Sequence, residues 1–251
     1  MGKTPVKKQG SVTYAGALAI LQGGMLLGGC GGPDLSEGET RPAVNATESA
    51  TPAAAATRTA TVAGPERLVL AFGDSLYAGY GLARGDSLPD DLQDGLRAAG
   101  INARVVNAGI SGDTSAAGRQ RLAYTLDRLD RKPDLVLLGL GGNDLLRQLP
   151  TSETRANFTA MLDELERRDI PVILTGMMAP PNLGPDYAGQ FNRIWPDMAK
   201  RYDAVLDPFI LAGVIGNRQL MLPDGVHPNA QGVDRIAARL TPVVAARLSK
   251  L

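Results

Sequence analysis

The chain is 251 residues long and contains 26 basic and 26 acidic residues, so its formal net charge is zero. This balance gives no electrostatic basis for binding nucleic acid, and an aromatic content of 4% leaves few rings on which bases could stack. One cysteine and one histidine exclude an internal disulfide framework and a metal site built from several such ligands. Any reaction that needs an imidazole must use His227.

The first predicted element is an N-terminal export signal. Residues 1–10 contain lysines but no acidic residue, and the uncharged stretch Val12–Leu27 follows. This stretch is shorter than the roughly 20 apolar residues that a transmembrane helix needs. A positive flank before a short apolar stretch is typical of a secretory signal.

The signal ends at the single cysteine of the chain. The segment Leu26-Leu27-Gly28-Gly29-Cys30 resembles the lipobox of bacterial lipoproteins, although Gly28 stands where Ala, Ser or Thr is commoner. The resemblance implies that residues 1–29 are a lipoprotein-type signal peptide, that Cys30 is lipidated and that this anchor binds a membrane. We expect the protein to face the periplasm, with Gly31 in place of an Asp retention signal indicating the outer membrane. The alternative is a plain signal peptide with an incidental cysteine, and a secreted protein.

Residues 30–65 predict a disordered linker behind the lipidated cysteine. The segment consists mainly of Ala, Thr, Pro, Gly and Ser, and its only large aliphatic residues are Leu35, Val44 and Val62. It cannot bury enough apolar surface to offset the entropy cost of ordering. We expect it to hold the folded domain, residues 66–251, roughly 30 Å from the anchor.

In residues 66–251, short apolar runs alternate with segments of helical spacing, which is the pattern of one α/β domain. Strands are predicted at Leu68–Phe72, Ala103–Val106, Leu135–Leu140, Pro171–Thr175 and Ala204–Leu206. Helices are predicted at Ser87–Ala99, Ser115–Leu129, Ser152–Arg168, Asp186–Tyr202 (which Pro196 is expected to kink or divide) and Gln231–Leu248. Alternation of such elements predicts a three-layer α/β/α sandwich with a five-stranded parallel sheet.

Polar residues follow the predicted strands, where the sites of parallel sheets form. Ser75 comes directly after the first strand, on a turn that either exposes a nucleophile or caps a helix. Gly112 lies in the loop after the second strand, where glycines let backbone N–H groups approach a ligand. Asn143 follows the third strand and can donate its side-chain amide to the same crevice. The glycines beside it lack the continuation of a dinucleotide fingerprint.

The last polar segment is Asp224-Gly225-Val226-His227-Pro228. At this spacing the carboxylate of Asp224 can accept the Nδ1–H of His227, which fixes the tautomer and leaves Nε2 free to take a proton. For a lone Asp-x-x-His, a surface ion pair is the more common interpretation. The acidic residues Asp74, Asp113 and Asp144 are interpreted as groups that brace their loops.

The ordered set Ser75, Gly112, Asn143 and His227 resembles the GDSL or SGNH hydrolase family, whose conserved blocks contain these residue types in this order. The resemblance covers Arg67–Leu251. It is greatest to the bacterial thioesterase I, lysophospholipase L1 and arylesterase branch, in the segments GDSLYAGYGL, NAGISGDTS, LGLGGND, APPNLG and DGVHPN.

The resemblance implies a flavodoxin-like fold and acyl transfer to water without a metal or organic cofactor. It makes Ser75 the nucleophile, His227 the base and Asp224 its partner. The oxyanion hole would consist of the N–H groups of Ser75 and Gly112 and the side-chain amide of Asn143.

Selectivity is expected to come from the segment after the fourth strand. Met178, Pro180, Leu183 and Tyr187 are the candidate substrate-binding residues, because flexible apolar side chains suit varied acyl or aryl groups. We expect a monomeric serine hydrolase that cleaves aryl esters, acyl esters, lysophospholipids or thioesters of the acyl-CoA type. The alternatives are a carbohydrate O-deacetylase of the same fold and a lipoprotein binding module that has lost turnover.

Overall fold

The computed structural model describes residues 62–251 of the chain. The predicted signal peptide, Cys30 and almost all of the predicted linker lie outside the described residues. Within 62–251, no helix is both long and apolar enough to cross a membrane.

The described residues form a five-stranded parallel sheet with helices around it. The strands are β1 (Arg67–Gly73), β2 (Ala103–Gly109), β3 (Leu135–Gly139), β4 (Val172–Thr175) and β5 (Val205–Asp207). Their order is β2-β1-β3-β4-β5, and every neighbouring pair is parallel. This is the strand order of flavodoxin-like sheets, so the predicted fold class is confirmed.

The helices follow the predicted segments closely, with additional short ones at the sheet edge. They are α1 (Ser75–Ala78), α2 (Leu88–Ala98), α3 (Ser115–Asp127), α4 (Gly142–Leu146), α5 (Thr151–Arg167), α6 (Pro185–Asn192), α7 (Ile194–Arg201) and α8 (Ala230–Leu248). Helix α8 packs against α2, while α5 packs against α3 and α7. Strands β1 and β3 are buried almost throughout, so the core lies on the central sheet.

The predicted helix Asp186–Tyr202 is divided into α6 and α7 at Arg193. Pro196 lies in the first turn of α7, where its missing N–H would have had no helical partner. The structure thus shows division rather than a kink. Helices α1 and α4 were not predicted from the sequence, because four or five residues are too few to show a helical period.

Three glycines at the carboxyl ends of neighbouring strands make room for α1. Gly73 is paired with Gly109 on one side and with Gly139 on the other. A Cβ on Gly73 or Gly139 would lie 2.3 Å from the ring of Tyr77, and one on Gly109 would lie 2.3 Å from the backbone nitrogen of Ala78. None of the three has a positive φ, so space rather than backbone conformation requires glycine.

Tyr77 fills the space above these glycines and fixes α1 to the sheet. Its side chain is fully buried, and its hydroxyl lies 2.8 Å from Oγ1 of Thr175 at the end of β4. Burial raises the pKa of the Tyr77 hydroxyl well above its usual range, so this side chain stays neutral. Ser75, two residues earlier, is thereby held at the carboxyl edge of the sheet.

We predict that Gly139→Ala destabilises the domain by about 1–3 kcal/mol, because the added methyl group overlaps Tyr77 and Thr175. It should also reduce ester hydrolysis by displacing α1. The control is Gly189→Ala in α6, where a Cβ meets only the end of Arg193 at 3.8 Å. Urea unfolding of the two variants measures the difference, and equal stability would show that the space above Gly139 is not needed.

Candidate active site

Ser75, His227 and Asp224 form one hydrogen-bonded series at the carboxyl edge of the sheet. Oγ of Ser75 lies 2.9 Å from Nε2 of His227, and Nδ1 of His227 lies 2.7 Å from Oδ2 of Asp224. The structure therefore brings the three predicted catalytic residues together, although Ser75 and His227 are 152 positions apart in sequence. This geometry lets the imidazole take a proton from the hydroxyl.

The local turn explains how Asp224 and His227 meet. Oδ1 of Asp224 accepts the backbone N–H groups of Val226 and His227 at 2.9 and 3.0 Å, and Gly225, which lies between Asp224 and Val226, adopts a left-handed φ of +67°. The N–H of His227, followed by its side chain, lowers the pKa of Asp224 to about 2. Asp224 is therefore a carboxylate across the neutral pH range, ready to face an imidazolium.

Tyr80 packs against the ring of His227, a contact that was not predicted from the sequence. Its ring centroid lies 4.4 Å from that of His227, with the two planes tilted by 35°. Tyr80 is nonetheless 51% exposed. It belongs to the segment GDSLYAGYGL, but no spacing rule distinguishes a tyrosine that packs on a histidine distant in sequence from one that packs in the core.

The three predicted oxyanion donors lie on three segments: Ser75 at the start of α1, Gly112 in the loop after β2, and Asn143 in α4, which contacts that loop. The side-chain amide of Asn143, in the first turn of α4, donates to the carbonyl of Asp113 at 2.9 Å. Arg147, at the end of α4, donates to the carbonyl of Gly112 at 2.9 Å. Gly112 has a φ of +87°, which favours glycine. Within residues 62–251, the N–H groups of Ser75 and Gly112 donate no hydrogen bond and are free to bind an oxyanion.

Asp144 connects α4 to two neighbouring helices through hydrogen bonds. It is 1% exposed. Its Oδ2 accepts the backbone N–H of Ser115 at 2.7 Å, and its Oδ1 accepts the hydroxyl groups of Ser115 and Thr154 at 2.5 and 3.0 Å. These bonds join α4 to the first turns of α3 and α5. Asn143, the neighbour of Asp144, is thereby fixed on the crevice side of α4.

Asp74 and Asp113 also make bracing contacts. Oδ1 of Asp74 accepts the N–H of Leu76 at 3.1 Å and caps α1. Asp113 forms an ion pair with Arg121, with an N···O distance of 2.6 Å. Asp74 is only 2% exposed, and burial raises its pKa to about 6.

A largely apolar cavity of about 450 Å³ opens beside Ser75 and His227. Of the four candidate substrate-binding residues, Met178 and Pro180 lie on the lining of this cavity, whereas Leu183 and Tyr187 do not. Leu183 lies in the 3₁₀ turn Pro181–Leu183 and packs against the core. Tyr187 stacks on Phe191 at 5.8 Å and donates to the carbonyl of Leu149 at 3.2 Å. The other apolar side chains of the lining are Leu76, Leu145, Leu146, Met177, Ala179, Pro181, Phe209, Leu211, Ile215 and Val226.

Most of these additional lining residues come from α4 and from the segment between β5 and α8. The latter contains no long periodic element, so the sequence offered no pattern by which to place Phe209, Leu211 or Ile215. No group of three or more His, Cys, Asp or Glu residues that could hold a metal ion occurs in the described part of the chain.

A serine, an imidazole and a carboxylate in hydrogen-bonded series, beside free N–H groups and an apolar cavity, define a serine hydrolase on a parallel α/β sheet. Residues 71–235 match the family described as GDSL-like Lipase/Acylhydrolase. The chain belongs to this family and is an ester hydrolase of the SGNH type.

Relatives with assigned activities agree with this family. Over 176 residues the chain is 38% identical to Esterase TesA of Pseudomonas aeruginosa, covering 70% of this chain and 87% of that protein. It is 36% identical over 180 residues to the thioesterase 1/protease 1/lysophospholipase L1 of Escherichia coli K12, covering 70% and 84%. The crystal structure of AlinE4, an SGNH-hydrolase family esterase, is 50% identical with a TM-score of 0.63, covering 73% of this chain and 97% of that one.

We predict that Asp74→Asn raises the free energy of unfolding at pH 8 by up to about 3 kcal/mol but has little effect at pH 4. The folded-state pKa of Asp74, about 6, lies above its ordinary value of 3.8, so the folded protein holds this proton more tightly than the unfolded chain does. The stabilisation that protonated Asp74 gives the folded protein is therefore lost as the pH rises through 6. Asparagine keeps the acceptor for Leu76 without the buried charge. Urea unfolding at both pH values provides the measurement. An equal effect at both would show that ionised Asp74 costs the fold nothing.

Proposed function

We propose that the protein hydrolyses carboxylic esters and thioesters through an acyl-enzyme on Ser75. Oγ of Ser75 attacks the substrate carbonyl while His227 takes its proton and then passes it to the departing alcohol or thiol. A water molecule, deprotonated by His227, releases the acid and restores Ser75. The observation that carries this proposal is the hydrogen-bonded series from Ser75 through His227 to Asp224.

The tetrahedral intermediate carries a negative charge that needs donors already in place. We assign this role to the unpaired N–H groups of Ser75 and Gly112 and to the second hydrogen of the Asn143 amide. Each such donor is typically worth about 3–4 kcal/mol of barrier lowering. Asp224 fixes the tautomer of His227 and stabilises the imidazolium.

The cavity supports acyl and aryl substrates rather than sugars. Apart from Asp74, Ser75, Asn143 and His227, the side chains of its lining are aliphatic residues, methionines and Phe209, and its volume falls within the usual range of small-molecule sites. Aryl esters, acyl esters, lysophospholipids and acyl-CoA thioesters all present an apolar group beside the scissile bond. This lining supports the first interpretation over a carbohydrate O-deacetylase, and the assembled series argues against a binding module without turnover.

We further propose that the enzyme is a monomer anchored through Cys30 to the outer membrane and facing the periplasm. Its support is the lipobox-like segment before Cys30 and the fact that one chain supplies every residue of the site. We predict that Cys30→Ser blocks processing and moves the protein from membranes to the soluble fraction or leaves it as precursor. Fractionation after labelling with a fatty acid tests this, and unchanged processing and membrane recovery would contradict it.

We predict that Ser75→Ala lowers kcat for a nitrophenyl acyl ester at least about 10³-fold while leaving the melting curve unchanged. The hydroxyl supplies the bond-forming oxygen, and its loss leaves the packing of Tyr77 intact. Ser111→Ala, on the exposed neighbouring loop, is the matched control and should retain wild-type turnover. Wild-type rates in folded Ser75→Ala would remove the serine mechanism.

The imidazole and its carboxylate partner provide a separate prediction. Because His227 must take the proton of Ser75, His227→Ala should remove the activity. Asp224→Asn should lower kcat about 10³- to 10⁴-fold, since the imidazolium loses its counter-charge and the tautomer is no longer fixed. Initial rates with the same nitrophenyl acyl ester provide the measurement, and wild-type kcat in either folded variant would contradict the proposal.

A further inference from the structure

We propose that Arg121 is a positioning residue for the reaction: its guanidinium holds together the two loops that carry the Ser75 and Gly112 N–H groups. The proposal rests on the proposed function, because it presumes that these N–H groups bind the oxyanion. No pattern in the sequence distinguishes Arg121 from Arg119, the other arginine of α3.

Three contacts fix the guanidinium of Arg121. Nε donates to Oδ2 of Asp113 at 2.6 Å, and one terminal nitrogen donates to the carbonyl of Gly73 at 2.9 Å. The central carbon lies 3.9 Å from the ring centroid of Phe72. The side chains of Arg121 and Asp113 are only 17% and 13% exposed, so this pair is screened by solvent much less than a surface pair.

The two acceptors belong to the two segments that carry the first two proposed oxyanion donors. Gly73 is two residues before Ser75, and its carbonyl also accepts the N–H of Ile110 at 3.1 Å, from the loop after β2. Asp113 directly follows Gly112 in that loop. Arg121 is therefore one rigid group that bonds both to the turn before the nucleophile and to the loop of the second donor.

The same bonds extend to the third proposed donor. The backbone carbonyl of Asp113 accepts the side-chain amide of Asn143 at 2.9 Å. Movement of Asp113 would therefore displace Gly112 and release Asn143 together. A site of this kind needs its donors held within about 0.5 Å of the productive geometry, which loops alone do not ensure.

The planar guanidinium of arginine can hold these two segments together better than the ammonium group of lysine can. Arginine presents several N–H groups in a fixed plane, so it can bind a carboxylate and a carbonyl at once while stacking on Phe72. A lysine keeps the charge but is a point donor on a flexible stem. Because oxyanion donors act mainly in the transition state, their misplacement should lower kcat with little effect on KM.

The experiment compares Arg121→Lys and Arg121→Met with Arg119→Met, a control on the same helix. Within residues 62–251, the guanidinium of Arg119 donates one hydrogen bond, to Oδ1 of Asn157 at 3.4 Å, and Arg119 is exposed. With a nitrophenyl acyl ester, we expect kcat of Arg121→Met to fall about 10- to 100-fold, KM to change less than about threefold, and Arg121→Lys to lie between it and the wild type. Arg119→Met should keep wild-type constants.

Melting curves separate positioning from support of the fold. If folded Arg121→Met and Arg121→Lys both keep wild-type kcat, or if KM rises as much as kcat falls, the proposal is wrong. If Arg121→Met fails to fold, Arg121→Lys decides, and loss of fold in both makes Arg121 a structural residue and overturns the proposal. Wild-type turnover in Ser75→Ala would instead show that the proposed function itself has failed.

Discussion

The place of Ser75 depends on the close contact between Tyr77 and the glycine ends of β1, β2 and β3. A side chain on Gly73 or Gly139 would occupy the volume of the tyrosine ring, and one on Gly109 would meet the backbone of α1. With Tyr77 buried and bonded to Thr175, α1 begins directly on the sheet. The nucleophile is therefore set by sheet packing, which is stiff, rather than by loop conformation.

The rest of the site is assembled by bonds between side chains and backbone. Asp144 joins α4 to α3 and α5, Arg121 joins the Gly73 turn to Asp113, and Asn143 joins α4 to the same loop. Buried polar groups are costly when they lose a partner, so such bonds favour one arrangement of the loops over others. Burial itself disfavours the charged form of Asp74, because it raises the pKa of this carboxyl group. The N–H groups of Ser75 and Gly112 lie on the segments that these bonds connect.

Much of the fold was predictable because strands such as Leu135–Leu140 are continuous apolar runs and helices such as Ser152–Arg168 have strong periodicity. The triad residues could be assigned because Ser75, Gly112, Asn143 and His227 occur in the order of the GDSL or SGNH blocks; a lone Asp-x-x-His would not have been sufficient. Asp74, Asp113 and Asp144 were interpreted as bracing residues, and their contacts are of this kind. The partners of these acids, such as Arg121, depend on distances across the fold that no local pattern contains.

The substrate cavity was predictable only in part. Met178 and Pro180 line it, but the 3₁₀ turn after them directs Leu183 to the core, and Tyr187 packs on Phe191. The opposite wall comes from Phe209, Leu211 and Ile215, in a segment whose path is set by packing rather than by periodicity. Selectivity therefore depends on parts of the chain where sequence patterns carry the least information.

The central claim is that Ser75 is the nucleophile and that His227 activates it. The most direct measurement is peptide mass spectrometry after reaction with an alkyl phosphonate ester, which traps a serine nucleophile as a stable adduct. We expect one adduct per chain, on Ser75, formed at a rate that falls sharply in His227→Ala. An adduct on another residue, or rapid labelling of Ser75 without His227, would contradict it.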